Sequence, residues 1–195
     1  MLLEKRLFNI NEYHQMAEVG ILTDRDRVEL IAGEIIPMSP IGFRHASTVA
    51  RLDDVFADRL GKQALRWIQN PIALDEQSEP QPDVVLLHPR SDYYATRHPQ
   101  PHEIYLLIEV AESSINDDRS VKIPLYARAG IREVWLIDLN ENCLEVYRNP
   151  QRDRFSYIQI LQPNLNISSL AFPEINFSVA TLVGSETEPE SHDRP

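Results

Sequence analysis

Apolar and polar positions follow two periods along the chain, and the places where the period changes mark its elements. Either Asn9 or Asn11 can cap a short helix that runs to Val19, with Tyr13, Met16, Ala17 and Val19 as its apolar face. Gly20 supplies the stop, and Thr23-Asp24-Arg25-Asp26 follows as a polar turn. From Arg27 the run RVELIAGEIIPM has two β-rich halves around Ala32-Gly33, which predicts a hairpin. Ser39-Pro40-Ile41-Gly42 breaks that pattern. His45, Val49, Leu52, Val55, Phe56 and Leu60 then recur at helical spacing, so the longest helix is expected from about 44 to 60, ending at Gly61.

Short strands are expected at 65–69 and 71–74, on either side of Asn70. A polar loop, 75–81, leads through Pro82-Asp83 into the buried-type strand VVLL. Three histidines, His88, His98 and His102, are spread over the next loop rather than clustered. IYLLIEV, 104–110, is a second buried strand, rich in β-branched and aromatic residues. SSINDD turns the chain into a helix ending at Gly130, REVWLIDL is a third strand, and 144–148 with 155–161 form an edge hairpin around Asn149-Pro150. Strands and helices in this order predict an α/β fold with a mixed central sheet.

Composition narrows the classes without choosing among them. Over 195 residues, 43% apolar and 25% charged side chains are ordinary for a globular protein, which excludes wholesale disorder and fibrous repeats. Residues 1–184 are expected to form a single domain. Residues 185–195 contain no apolar side chain, and four acids against Arg194 leave them at −3, the composition of a disordered acidic tail. With 19 Lys+Arg against 30 Asp+Glu the net charge is −11, which argues against a protein that grips phosphates over a wide surface. A small acidic site that reaches phosphate through a divalent cation is still allowed. Cys143 is the only cysteine, so an intrachain disulfide and a Cys-rich zinc module are both excluded. No stretch approaches a bilayer span and the first residues lack a signal-like apolar run, so the expected location is cytoplasmic.

Two carboxylates stand at informative places. Asp83 directly precedes VVLL, and Glu109 lies near the end of the next buried strand. Charges beside apolar runs are costly unless paired or bound to metal. If the two strands are neighbours, both carboxylates can converge on one hard cation such as Mg²⁺, which keeps several waters and needs few protein ligands. Either residue alone is more simply a solvated strand end. Lys122 follows Asp118 by four positions, and its bland reading is a surface ion pair on a helix. Its functional reading is an ammonium reaching over the two carboxylates. Pro124 would disrupt a helix running on from Asp118, so a helix beginning near Ile123 would leave Lys122 at its mouth.

The strings VELIAGEIIPMSPIGFRHASTVARL, QPDVVLL and LLIEVAESSINDDRSVKIPLYARAGIREVWLIDL resemble, in order, the Uma-two family of restriction-endonuclease-like proteins, over about residues 10–160. The resemblance implies a PD-(D/E)xK nuclease core. It implies that Asp83 is the aspartate of the Pro-Asp motif and Glu109 the acidic residue of the following strand. The usual lysine, two residues after that glutamate, is Ala111 here, and the family's migrated lysine falls on Lys122. Glu29 matches the upstream acid, with a solvated strand face equally compatible, and His45 matches the histidine after the Ser-Pro-x-Gly turn, where a structural role is the commoner one. Arg119 reads as a phosphate contact or a solvated charge. Tyr93, Tyr94, Arg90 and Arg97 read as a base-stacking group or a plain polar loop.

The reading that follows is a Mg²⁺-dependent endonuclease acting on DNA, with Mn²⁺ as a possible substitute. Asp83, Glu109 and the Val110 carbonyl are the expected metal ligands, with Lys122, Glu29 and His45 beside them. A homodimer is expected through the apolar edge of the 144–161 hairpin. The rival is a non-catalytic binding or regulatory module that retains the fold; the acidic balance and Ala111 favour it, and the intact Asp83, Glu109 and Lys122 set disfavours it.

Overall fold

The computed structural model describes residues 5–23 and 25–185. The expectations placed on Asp24 and on tail residues 186–195 lie outside the described residues.

Helix α1 (Ile10–Glu18) begins at Asn9, which closes a capping box. The Asn9 side chain accepts from the Glu12 amide and the Glu12 carboxylate accepts from the Asn9 amide. Its expected apolar face is shallow, for no residue of α1 is buried and Val19, just beyond it, is 72% exposed. Strands β1 (Val28–Ile31) and β2 (Glu34–Pro37) pair as the expected hairpin. Ala32 and Gly33 turn it with φ of 49° and 80°, the left-handed pair that a two-residue hairpin loop needs. A Cβ on Gly33 would also come within 2.6 Å of the Leu7 side chain, so only glycine fits. Helix α2 (Phe43–Leu60) lies between Gly42 and Gly61 and buries Val49, Leu52, Phe56 and Leu60.

The central sheet has six strands whose spatial order follows the chain: β3 (Leu65–Ile68), β4 (Val84–Leu87), β5 (Ile104–Ala111), β6 (Glu133–Asp138), β7 (Cys143–Gln151) and β8 (Arg154–Leu161). Only β5 and β6 run parallel. A parallel pair requires a crossover, which is helical here: α3 (Ile115–Asp117), a π-helical turn (Asp118–Lys122) and α4 (Ile123–Arg128). The protein is therefore an α/β fold with a mixed sheet. Because side chains alternate along each strand, Val84, Leu86, Leu106, Ile108 and Val110 pack with α2. Val85, Leu87, Leu107 and Ala111 pack with α4. A hairpin, β9 (Asn166–Ser169) with β10 (Phe172–Ser178), and α5 (Val179–Val183) complete the α2 side, where Phe177 meets Phe56 and Trp135.

Three local expectations change. Residues 71–74 are not a ladder strand; the Ile72 and Leu74 amides donate to Pro80 and Ser78 across a local loop. Strand β7 runs straight through Asn149-Pro150, and the turn is Arg152-Asp153. Pairing of β7 with β6 stops at Arg148, so the N–H that Pro150 lacks costs no ladder bond on that side. The chain also resolves the conflict at Pro124 by widening one turn. The Ile123 amide donates five residues back to Asp118, and Pro124 falls in the first turn of α4, where a missing donor matters least. Among the described residues no helix is long and apolar enough to cross a membrane.

Candidate functional site

Strand pairing decides where the two carboxylates meet. Val84 stands opposite Ile108 in the antiparallel β4–β5 pair, and one further step outward sets Asp83 beside Glu109 on the α4 face. The Asp83 carboxylate accepts from the Val110 amide at 2.9 Å and from the Gln69 side-chain amide at 3.2 Å, and His45 Nε2 lies 3.1 Å from it. Glu109 is 2% exposed, and its Oε1 accepts from the Tyr126 hydroxyl at 2.5 Å and forms an ion pair with Lys122 Nζ at 3.3 Å. Lys122 is also 3.3 Å from Glu29 Oε1, whose other oxygen accepts from the Gln81 amide. Glu29, His45, Asp83, Glu109 and Lys122 all line one cleft of about 730 Å³ between the β1–β2 hairpin, the start of α2 and the π turn.

The π turn explains the lysine's position. Its register carries Lys122 to Glu29 and Glu109, while the Asp118 carboxylate takes the Ser114 hydroxyl, so the bland alternative of a surface pair between Asp118 and Lys122 is not the arrangement formed. Ala111, where the resemblance would have put a lysine, is fully buried beneath α4. A long cation has no room there, and the neighbouring helix delivers one instead.

Electrostatically the cleft is unbalanced. Glu29, Asp83, Glu109 and Asp118 surround one ammonium. Burial pushes the Glu109 carboxyl up, with Asp118 and Asp83 adding to the rise against the pull of Lys122. Asp118 moves the same way, again mainly by burial. Burial alone would lower Lys122, but Glu109, Glu29, Asp118 and Asp83 together raise it, so its charge persists. His45 is raised chiefly by its hydrogen bond to Asp83.

The donor set suits a hard divalent cation. An ionised carboxylate has about four lone-pair positions. Asp83 uses three of them, and Glu109 engages only Oε1, in the Tyr126 hydrogen bond and the Lys122 ion pair, which leaves Glu109 Oε2 and one position on Asp83 for a metal. Two carboxylates with waters are enough for Mg²⁺. The described residues also contain two sets of three potential ligand atoms within 4.8 Å of one another, and neither includes Asp83 or Glu109. One is Asp138, Cys143 and Glu145. There Arg119 donates to Asp138 at 2.8 Å and to Glu145 at 3.0 Å, so a guanidinium already fills the place of a cation. Arg119 is thus an ion-pair partner for two buried carboxylates, with its own side chain 40% exposed. The other set, His14, Glu79 and His98, lies outside the cleft.

Gln69 and Tyr126 belong to the cleft's surroundings although no local pattern in the chain places them there. Tyr126 is on the buried face of α4, where an aromatic reads as plain core, and Gln69 depends on a strand end turning back toward Asp83. The base-stacking group dissolves. Tyr94 is buried, Arg90 and Arg97 are bound to Glu103, and Tyr93 is the one exposed aromatic of the group.

Residues 10–180 match the Uma2 family, described as "Putative restriction endonuclease". The chain belongs to the Uma2 family. No curated protein matches this Uma2 chain. Among solved structures, its fold is similar to that of a "putative nuclease belonging to DUF820" from Anabaena variabilis ATCC 29413, at a TM-score of 0.68 and 17% identity, covering 91% of this chain and 98% of the other. At that identity the likeness concerns the fold alone.

Proposed function

We propose that this Uma2 chain is a PD-(D/E)xK-type phosphodiesterase that cleaves DNA with Mg²⁺, or with Mn²⁺ in its place. The observation that carries this reading is the convergence of Asp83, Glu109, Glu29 and Lys122 in one cleft, with Lys122 Nζ 3.3 Å from both glutamates. Asp83, Glu109 and the Val110 carbonyl would hold the cation. When bound, it would lower the pKa of a coordinated water and offset the charge of the scissile phosphate. Lys122 would orient the attacking water and stabilise charge developing on the phosphate. Glu29 would fix the lysine, and His45 would fix Asp83. A cation in the cleft also answers the objection raised by the net charge of −11.

The test is a divalent-metal titration against a pool of plasmid, linear and single-stranded DNA. Cleavage that appears with Mg²⁺ or Mn²⁺ and vanishes with chelator is the expected result. Metal binding without cleavage of any member would move the chain to a non-catalytic binding module.

We also propose a homodimer in the cytoplasm. Strand β8 is a sheet edge with Ile158 60% and Ile160 58% exposed, and a second copy can cover it. Light scattering should give twice the chain mass, and Ile158→Lys should return it to one. Residues 1–184 are proposed as the folding unit, so a chain stopped at Gly184 should keep its Tm and its cleavage. A fall of several degrees would show that the remaining residues contribute.

A further inference from the structure

Glu79 is 4% exposed, yet the partners of its carboxylate are imidazoles. His14 Nε2 is 2.8 and 3.1 Å from its two oxygens, and His98 Nε2 is 3.9 Å from Oε1. Among the described residues no lysine or arginine nitrogen lies within ion-pair distance of it. A buried carboxylate whose side-chain partners are two imidazole rings, with no ammonium or guanidinium beside it, presents donor atoms that a cation could share. The three residues come from separate segments: the exposed face of α1, the loop before β4 and the loop before β5.

We propose that His14, Glu79 and His98 form a second metal site, distinct from the cleft, that takes a borderline-soft divalent ion such as Zn²⁺. Two imidazoles and a carboxylate are a common donor set for zinc, with a water as fourth ligand. At bond lengths of about 2.0–2.1 Å, tetrahedral ligands stand about 3.3 Å apart. The separations of 2.8, 3.1 and 3.9 Å bracket that value, and all three ligand atoms lie within 4.8 Å of one another. His14 and His98 are partly exposed and free to close the remainder by rotating.

The site would serve as a clamp. Helix α1 buries no residue and is otherwise held by a few hydrogen bonds, such as Tyr13 Oη to the Val28 carbonyl and the Ile10 amide to the Glu76 carbonyl. Glu79 itself donates its amide to the Leu30 carbonyl, and two residues on the Gln81 amide binds Glu29. An ion at Glu79 would therefore tie α1 to the strand that carries Glu29, without touching the cleft.

Chelator-treated full-length protein should be titrated with ZnCl₂ by equilibrium dialysis, and with CoCl₂ followed by visible absorption. We expect one Zn²⁺ per chain in the wild type, a loss of affinity of about 10-fold or more in His14→Ala and in His98→Ala, and a Zn²⁺-dependent rise in Tm that His14→Ala abolishes. His14 is exposed, so that variant tests binding rather than folding. Asp83→Asn and Cys143→Ser should bind as the wild type does, which separates this site from the cleft and from the Arg119 cluster. Absence of binding below about 100 μM, a weak affinity on the usual scale, would overturn the proposal. So would unchanged affinity in the histidine variants, or binding lost in Asp83→Asn.

Discussion

Two groups of clustered charge on this chain stand in opposite electrostatic states. In the loop before β5, Arg90 and Arg97 face Asp92 and Glu103. Arg97 holds both Glu103 oxygens at 2.7 Å, Arg90 holds Asp92 at 2.7 and 2.8 Å, and both guanidiniums stack near the Tyr94 ring. Two cations match two anions, and Glu103 is drawn down to about 2, first by Arg97. In the cleft four carboxylates share Lys122, and Glu109 and Asp118 are pushed up by burial. The loop group is complete without a ligand and belongs to stability. The cleft group is negative in excess, and a divalent cation is what would complete it.

The largest effects should come from breaking the cleft. Asp83→Ala should lose both metal binding and cleavage. Lys122→Ala should cut single-turnover cleavage by about 100-fold or more while leaving metal affinity nearly intact, because the ligands are elsewhere. Lys122→Arg should also be poor, since a planar guanidinium cannot replace a compact ammonium. Wild-type rates in Lys122→Ala would remove the cleft's claim to catalysis. Glu103→Gln should do the reverse. Cleavage per folded molecule should be unchanged, and thermal unfolding should show a Tm lower by about 3 °C or more.

The two groups also differ in how readily they can be read from the chain. The β1–β2 hairpin and α2 follow from local signals, Ala32-Gly33 for one and a helical period ending at Gly61 for the other. The Asp83–Glu109 pair follows from two buried strands only once their antiparallel pairing is assumed. Lys122 needed the family resemblance, because the π turn that aims it exists to accommodate Pro124, and local helical geometry points instead to Asp118. The loop network was hidden because charges in a polar, proline-containing loop look solvated, and their pairing depends on how the loop folds over Tyr94. The β9–β10 hairpin and α5 carry only short apolar stretches, which become informative when α2 and the sheet supply the other half of the core.

Proton linkage should separate the groups in opposite directions. A carboxyl whose folded pKa is depressed stabilises the fold above its ordinary value, and that contribution fades as pH falls toward the folded pKa. For Glu103 the window runs from its ordinary 4.5 down to about 2, so Glu103→Gln should flatten the acid limb of stability there. A carboxyl whose folded pKa is raised destabilises the fold at high pH, and the cost is relieved as pH falls through that raised value. Glu109 and Asp118 are of this second kind. Mg²⁺ should therefore raise Tm more at pH 8.5 than at pH 5.5, because at the lower pH protons already relieve the repulsion. An equal rise at both values would place the ion away from these carboxylates.

The smallest expected effect comes from paired tyrosine hydroxyls. Tyr126 donates to Glu109 Oε1 at 2.5 Å, and Tyr94 donates to the His88 carbonyl at 2.9 Å. Both rings are buried, so replacement by phenylalanine keeps the packing and costs about 1 kcal/mol of stability in either place. The hydroxyl of Tyr126 favours the ionised form of Glu109, opposing the burial that raises it. Without it Glu109 holds its proton to higher pH, and a protonated carboxyl is a poor metal ligand. Tyr126→Phe should thus shift the acid limb of the cleavage profile upward, with a loss of a few-fold at pH 6.5 that narrows by pH 9. Tyr94→Phe should lose similar stability with no shift in the profile. If both variants leave the profile unchanged, the ionisation of Glu109 does not govern the reaction, and its carboxylate is not the metal ligand proposed for it.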